Sequence, residues 1–189
     1  MSLKLHVIIC STRPTRVGPS VAKWFAEYAK NHGTGFDVNL VDLAEVDLPL
    51  FNEPNHPVQR NYQFDYTKRW SEIVESGDAF VFVTPEYNYN PPPSFYNALT
   101  YLSKEWNYKT CGFVGYGGAS GGVRAIQSAK TLVTTLKMMP MTECVMVPMV
   151  ATMIDDDKNF KSNELIEKSA DAMLIELKKW AAAIKPIRG

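Results

Sequence analysis

The chain has 189 residues, 46% of them hydrophobic, enough to bury a sizeable core in one unit, and no Gly/Ser-rich or charge-rich linker divides it. Its 20 Lys and Arg and 20 Asp and Glu cancel to a formal net charge of +0, which leaves no overall field to attract nucleic acid or an anionic membrane surface. The first residues lack the apolar core of a signal peptide and no apolar run approaches a membrane span, so a cytoplasmic protein with small-molecule partners is expected.

Residues 5–10 form a continuous apolar run, as in a strand covered on both faces. It passes directly into Ser11-Thr12-Arg13-Pro14-Thr15-Arg16-Val17-Gly18-Pro19-Ser20, where hydroxyls, backbone N–H groups and two guanidinium groups gather at a strand-to-helix turn. Such a turn favours an anion, and no Asp or Glu lies between Leu5 and Ala26 to oppose one. An ordinary turn with solvated arginines has the same spacing. Pro19 suits the first helical position, Val21, Trp24, Phe25 and Tyr28 fall on one helical face, and Gly33 and Gly35 stop that helix before a second strand at 36–43. Patterns for a helix over 66–75, a strand at 79–84, a helix over 94–103, a strand at 110–116, a helix over 123–137 and a strand at 141–147 follow. Asp155-Asp156-Asp157 reads as a solvated turn before a last helix striped by Ile166, Ala170, Met173, Leu174, Leu177 and Ala181. Cys10, Cys111 and Cys144 are spaced as reduced thiols, and the scattered His6, His32 and His56 suggest no metal site.

Strict alternation of five strands and five helices predicts one α/β domain over residues 1–189, a doubly wound five-stranded parallel sheet with helices on both faces. Five strands suit the flavodoxin-like order 2-1-3-4-5, whose ligands sit at the carboxyl ends of the strands near the switch point. Three loops lie there. The first, residues 11–20, suits a terminal phosphate, since arginine adds bidentate charge-assisted bonds to helix-terminal amides. Gly18-Pro19-Ser20 stands where a P-loop needs Gly-Lys-Ser/Thr, which excludes triphosphate hydrolysis by that motif.

The loop after the third strand, Thr84-Pro85-Glu86-Tyr87-Asn88-Tyr89-Asn90-Pro91-Pro92-Pro93, is stiffened by three prolines and flanked by aromatic faces. It reads either as a wall for a flat heterocycle or as a cover for the sheet end or another subunit. The loop after the fourth strand, Gly117-Gly118-Ala119-Ser120-Gly121-Gly122, matches the G-x-S-x-G elbow, but its triad order needs a later His and the last one is His56. Gly115-x-Gly117-x-x-Ser120 matches the dinucleotide fingerprint only in part, and residues 134–139 offer no acid for a ribose. What remains is a pliable loop that holds the far edge of a ring.

Residues 11–24, 84–88, 97–98 and 117–124 resemble the NAD(P)H-dependent FMN reductase family, flavodoxin-like proteins that include quinone, chromate and azo-dye reductases. The resemblance implies that Ser11, Arg13, Gly18 and Ser20 surround the FMN phosphate. It further implies that Pro85, Glu86, Tyr87 and Asn88 border the isoalloxazine, with Gly117, Gly118, Ser120 and Gly121 near its other edge. NADPH or NADH would then pass a hydride to the flavin, which reduces a quinone-like, azo or other small acceptor; no catalytic side chain is assigned, because the cofactor carries the chemistry. A homodimer or homotetramer is implied as well. Cys10 and Tyr96 depart from the family's usual Gly and Lys at those positions. The rival readings are a flavodoxin-type electron carrier and a flavin-binding sensor without NAD(P)H turnover.

Overall fold

The computed structural model describes residues 2–188. Six parallel strands form one sheet: β1 (Lys4–Ile9), β2 (Asp37–Asp42), β3 (Ala79–Pro85), β4 (Thr110–Tyr116), β5 (Met139–Pro140) and β6 (Val145–Val147). The order is β2-β1-β3-β4-β5, with β6 also paired to β4, so the flavodoxin-like order expected from the sequence is the one observed. Every residue of the central strands β3 and β4 is buried, which their continuous apolar runs require. The edge strand β2, interrupted by Asp37, Asn39 and Asp42, buries only Val41.

Helices α1 (Gly18–Asn31), α2 (Leu43–Val46), α3 (Asp65–Ser76), α4 (Pro93–Thr100), α5 (Val123–Thr135) and α6 (Glu164–Ile184) cover the sheet. Side chains alternate across each strand. Val81, Val83, Val114 and Tyr116 therefore pack on one face with Phe25 of α1 and Leu174 and Leu177 of α6. Phe80, Phe82 and Phe113 pack on the other with Trp70 of α3, Phe95 of α4 and Ile126 of α5. Trp106 makes edge-on contacts with Trp70 and Phe80, with ring centroids 5.9 and 5.2 Å apart, the geometry that aromatic quadrupoles favour.

Of the expected last strand at 141–147 only β6, residues 145–147, is strand; the other short piece, β5, lies just before that range at 139–140. Met139 and Met141 donate to the Lys109 and Cys111 carbonyls at 2.9 and 2.8 Å, and Thr142 then turns out to solvent before Val145 re-enters the sheet. The short α2 was not expected; Asp42 nucleates it by accepting from the Ala44 N–H at 3.0 Å. Helix α5 stops at Thr135, two residues before the expected end, and Lys137 adopts a left-handed φ of 57°. Asp155 closes the acidic turn, its carboxylate accepting from the Asn159 N–H at 2.7 Å. Among the described residues no helix is long and apolar enough to cross a membrane.

Candidate functional site

The carboxyl ends of the adjacent strands β1, β3 and β4 bring the three sequence-predicted loops together. Cys10 stays in the sheet through its N–H to the Val83 carbonyl at 3.0 Å, and Ser94 at the start of α4 donates to the Cys10 carbonyl. Beyond it Ser11 is fully buried, with its Oγ 3.0 Å from the Tyr87 hydroxyl and accepting from the Arg13 N–H at 3.4 Å. The Arg16 N–H closes a tight turn on the Arg13 carbonyl at 3.1 Å, and α1 then begins with no side-chain cap. Among the described residues, the backbone N–H groups of Thr12, Thr15, Val17 and Gly18 meet no protein acceptor. Helix starts normally satisfy such groups with a cap, water or a ligand.

Two side chains in the same place are also incomplete. Arg16 donates from Nη2 to Asp42 at 2.6 Å, yet its buried Nε has no partner. The Tyr116 hydroxyl at the end of β4 is buried and unpartnered, and burial pushes its pKa well above the ordinary tyrosine value. It points at Gly18: a Cβ there would lie 2.7 Å from the Tyr116 oxygen. Arg13 holds its guanidinium in solvent, 5.9 Å from the Tyr87 ring centroid. The missing acid of residues 5–26 is thus supplied from outside the loop by Asp42. A 26-residue separation hides that pair from the loop's own composition.

The loop after β3 is a hairpin as well as a proline wall. Tyr87 and Asn90 exchange N–H···O bonds of 2.8 and 2.9 Å, and Asn88 and Tyr89 between them take φ of 50° and 68°. Positive φ at both central residues is the type I′ turn that matches strand twist. The hydroxyls of Tyr96 and Ser128 reach Asn90 Oδ1 at 3.2 and 2.7 Å and tie the hairpin to α4 and α5.

Glu86 clasps the loops after β3 and β4 together. Its carboxylate accepts from Ser120 Oγ at 2.9 Å, the Arg124 N–H at 3.1 Å, and the Arg124 guanidinium, which lies 3.9 Å over the Tyr89 ring. Burial alone would raise the Glu86 pKa; the bonds from Arg124 and Ser120 outweigh it and hold the carboxyl below its ordinary value. The side chains of Glu86 and Ser120 are therefore engaged with each other's loops. The N–H groups of Glu86 and Tyr87 are taken by Tyr116 and Asn90, whereas those of Asn88 and Gly118 have no protein acceptor among the described residues.

The loop after β4 is pinned rather than pliable. Gly117 and Gly118 exchange bonds of 2.9–3.3 Å with Val147, Met149 and Val150. Gly122 has φ 84°, and a Cβ there would fall 2.5 Å from the Tyr116 nitrogen, so only glycine fits. Pro85 and Gly121 are buried, while Asn88 and Gly118 face solvent. Ser20 sits on the first turn of α1 and lines a cleft of 630 Å³ between α1 and residues 158–160, with Trp24, Tyr28 and Phe160. Sequence reasoning missed Tyr116 and Asp42.

Fold and loops together define a flavodoxin-type α/β protein whose β1–α1 turn presents donors without an acceptor beside a polar loop edge at β3 and β4. The sequence profile of the family described as NADPH-dependent FMN reductase matches residues 3–152, and the chain belongs to that family. An NAD(P)H-dependent FMN reductase of Schizosaccharomyces pombe is 40% identical over 126 residues, 66% of this chain and 62% of the relative, so the match spans less than two thirds of that relative's length. A quinone reductase of Pseudomonas putida is 28% identical over 95% of this chain and 93% of its own. The solved flavoenzyme NAD(P)H:(acceptor) oxidoreductase FerB of Paracoccus denitrificans superposes with a TM-score of 0.76 at 19% identity, covering 96% of this chain and 98% of that one. The donor set fits the family's cofactor: unpaired N–H groups, Arg16 Nε and a neutral phenol suit a phosphate oxygen.

Proposed function

We propose that the protein is an FMN-dependent oxidoreductase that takes a hydride from NADPH or NADH and reduces a quinone-like, azo or other small acceptor. Family membership and the reductase relatives support the reaction. The observation that carries the placement is the cluster of unpaired donors at the β1–α1 turn. In this reading Ser11, Arg13, Gly18 and Ser20 surround the flavin phosphate, and Pro85, Glu86, Tyr87 and Asn88 border the ring. Gly117, Gly118, Ser120 and Gly121 lie along its other edge.

FMN, when bound, supplies the hydride acceptor and the two-electron donor. The protein's part is position. Helix-terminal amides and Arg13 hold the anionic end, and the Glu86–Ser120–Arg124 clasp fixes the spacing between the two ring-facing loops. The open N–H groups of Asn88 and Gly118 offer hydrogen bonds to a polar ring edge. No side chain is asked to carry a proton.

The chain acts as a single domain over residues 1–189 and pairs with further copies as a homodimer or homotetramer. An apolar ledge of Leu50, Phe51, Pro91 and Tyr96 supports that pairing, with Leu50 86% exposed. Three free cysteines support a reducing, cytoplasmic setting. The visible spectrum of purified protein, with and without added FMN, tests the cofactor, and anaerobic mixing with NADPH or NADH tests the donor. A yellow protein bleached by either nucleotide is expected. A colourless protein that takes up no FMN would overturn the flavin assignment, and bound flavin that neither donor bleaches would turn the reading toward an electron carrier.

A further inference from the structure

We infer that Tyr116 donates a hydrogen bond from its hydroxyl to the terminal phosphate of FMN and thereby sets the protein's preference for FMN over unphosphorylated riboflavin. This rests on the placement of the flavin phosphate at the β1–α1 turn. Alternation along β4 turns Tyr116 toward α1, where it packs with Val83, Val114 and Val147 and is only 4% exposed. Its ring is fully accounted for by that packing; its oxygen has no partner. An unpaired buried hydroxyl is costly, and a phenylalanine would fill the same space without the penalty.

The surroundings specify the missing acceptor. Arg13, Arg16, Tyr87 and Cys10 are among the ionisable groups near the hydroxyl, two cations and two weak acids. Asp42, the one acid brought to the turn, is occupied by Arg16 at 2.6 Å. Gly18, the first residue of α1, leaves the oxygen its place: a Cβ there would lie 2.7 Å from the Tyr116 oxygen but 3.5 Å from the ring carbon that bears it. A donor beside two guanidinium groups and open helix-terminal N–H groups calls for an oxyanion. Burial raises the phenol's pKa, so at neutral pH the hydroxyl is protonated and a donor.

Apo-protein of the wild type and of Tyr116→Phe is titrated with FMN and with riboflavin by flavin fluorescence quenching, and both are melted without ligand. The variant is expected to bind FMN at least about tenfold more weakly, because a hydrogen bond to a charged group is lost. Its riboflavin affinity should be unchanged and its apo melting temperature raised. Equal weakening toward both ligands, or undiminished FMN affinity, would overturn the inference while leaving the flavin site standing. A wild type that binds no FMN would instead remove the reading beneath it. Gly18→Ala supplies an independent measurement: it should destabilise the wild-type apo-protein more than the Tyr116→Phe background. An equal cost in both would place the hydroxyl elsewhere and defeat the inference.

Discussion

At the amino end of the sheet Asp78 accepts from the Lys4 N–H at 2.9 Å, Lys185 at 2.9 Å and Arg188 at 2.8 Å, and the rest of the Arg188 fork goes to the Asp78 and Tyr108 carbonyls. Nearby, the buried Lys109 donates to the Val74 and Glu75 carbonyls at the end of α3. At the carboxyl end the same kinds of group are left open: Arg16 Nε and the Tyr116 hydroxyl are buried without a partner, and Arg13 reaches into solvent. Thr110 Oγ1 at the start of β4 and Trp106 Nε1 are also buried without a partner, so an open group alone does not mark a ligand; the carboxyl end differs because its open groups include a guanidinium N–H and lie beside unpaired helix-terminal N–H groups, which together call for an anion. The two ends should therefore answer differently to perturbation, the first in stability and the second in ligand affinity.

The largest effect expected at the closed end is an acid sensitivity set by His6. Asn39 Nδ2 lies 3.2 Å from the Nδ1 of this ring, and Nε2 lies 3.0 Å from Ser76 Oγ, whose own hydrogen goes to the Ile73 carbonyl. These partners suit a neutral ring protonated on Nε2, with no acceptor for a second proton. Burial, assisted by the charges of Lys4 and Lys109, lowers the pKa from 6.5 to about 4. The unfolded chain thus binds the proton first as pH falls. The stabilising contribution is complete above pH 6.5 and disappears between there and about pH 4, roughly 3 kcal/mol in all. Urea unfolding across that window should show the slope in the wild type and lose most of it in His6→Gln. A flat wild-type profile would mean that His6 is not held neutral.

A paired experiment tests the comparison directly. Asp78→Asn removes the negative charge that three donors share and one of its two acceptor oxygens, and should cost about 1.5–3 kcal/mol of stability, with FMN affinity unchanged. Arg13→Ala should leave the apo melting temperature alone and weaken FMN by about ten- to a hundredfold. Calorimetric melts and FMN titrations of both proteins are sufficient. A loss of FMN affinity in the Asp78 variant, or of apo stability in the Arg13 variant, would break the division between the two ends.

The sequence made the sheet legible because burial on both faces demands predominantly apolar runs, and β3, β4 and, apart from Lys4 and His6, β1 have them. It did not show the break between β5 and β6, where the chain leaves the edge at the exposed Thr142. In the loops, chain position was legible and bonding was not. Ser11, Tyr87, Gly18 and Gly117 could be placed at one sheet end from topology. That Glu86 would be engaged by Arg124, or Arg16 by Asp42, depends on side chains 38 and 26 residues apart whose approach only the fold decides. Tyr116 was passed over because its environment marks it as core; its unmet hydroxyl is visible only once its neighbours are known.

The smallest expected effect sharpens the comparison most, because it concerns a closed cluster at the open end. Tyr89 stands at φ 68°, a left-handed conformation that costs a bulky residue about 1–2 kcal/mol. Against that, the Arg124 guanidinium 3.9 Å over its ring returns part of the cost. Tyr89→Asn relieves much of the first, since Asn tolerates the left-handed region, and gives up the second. The two nearly cancel, and the melting temperature should move by no more than about 2 °C. Glu86 still holds Arg124 through its guanidinium and backbone, so the clasp between the loops survives the substitution. If the hairpin tip belongs to the scaffold, FMN affinity stays where it was. A fall in that affinity with stability intact would assign Tyr89 to the ligand, and the open region would then extend from the β1–α1 turn to the tip of the hairpin.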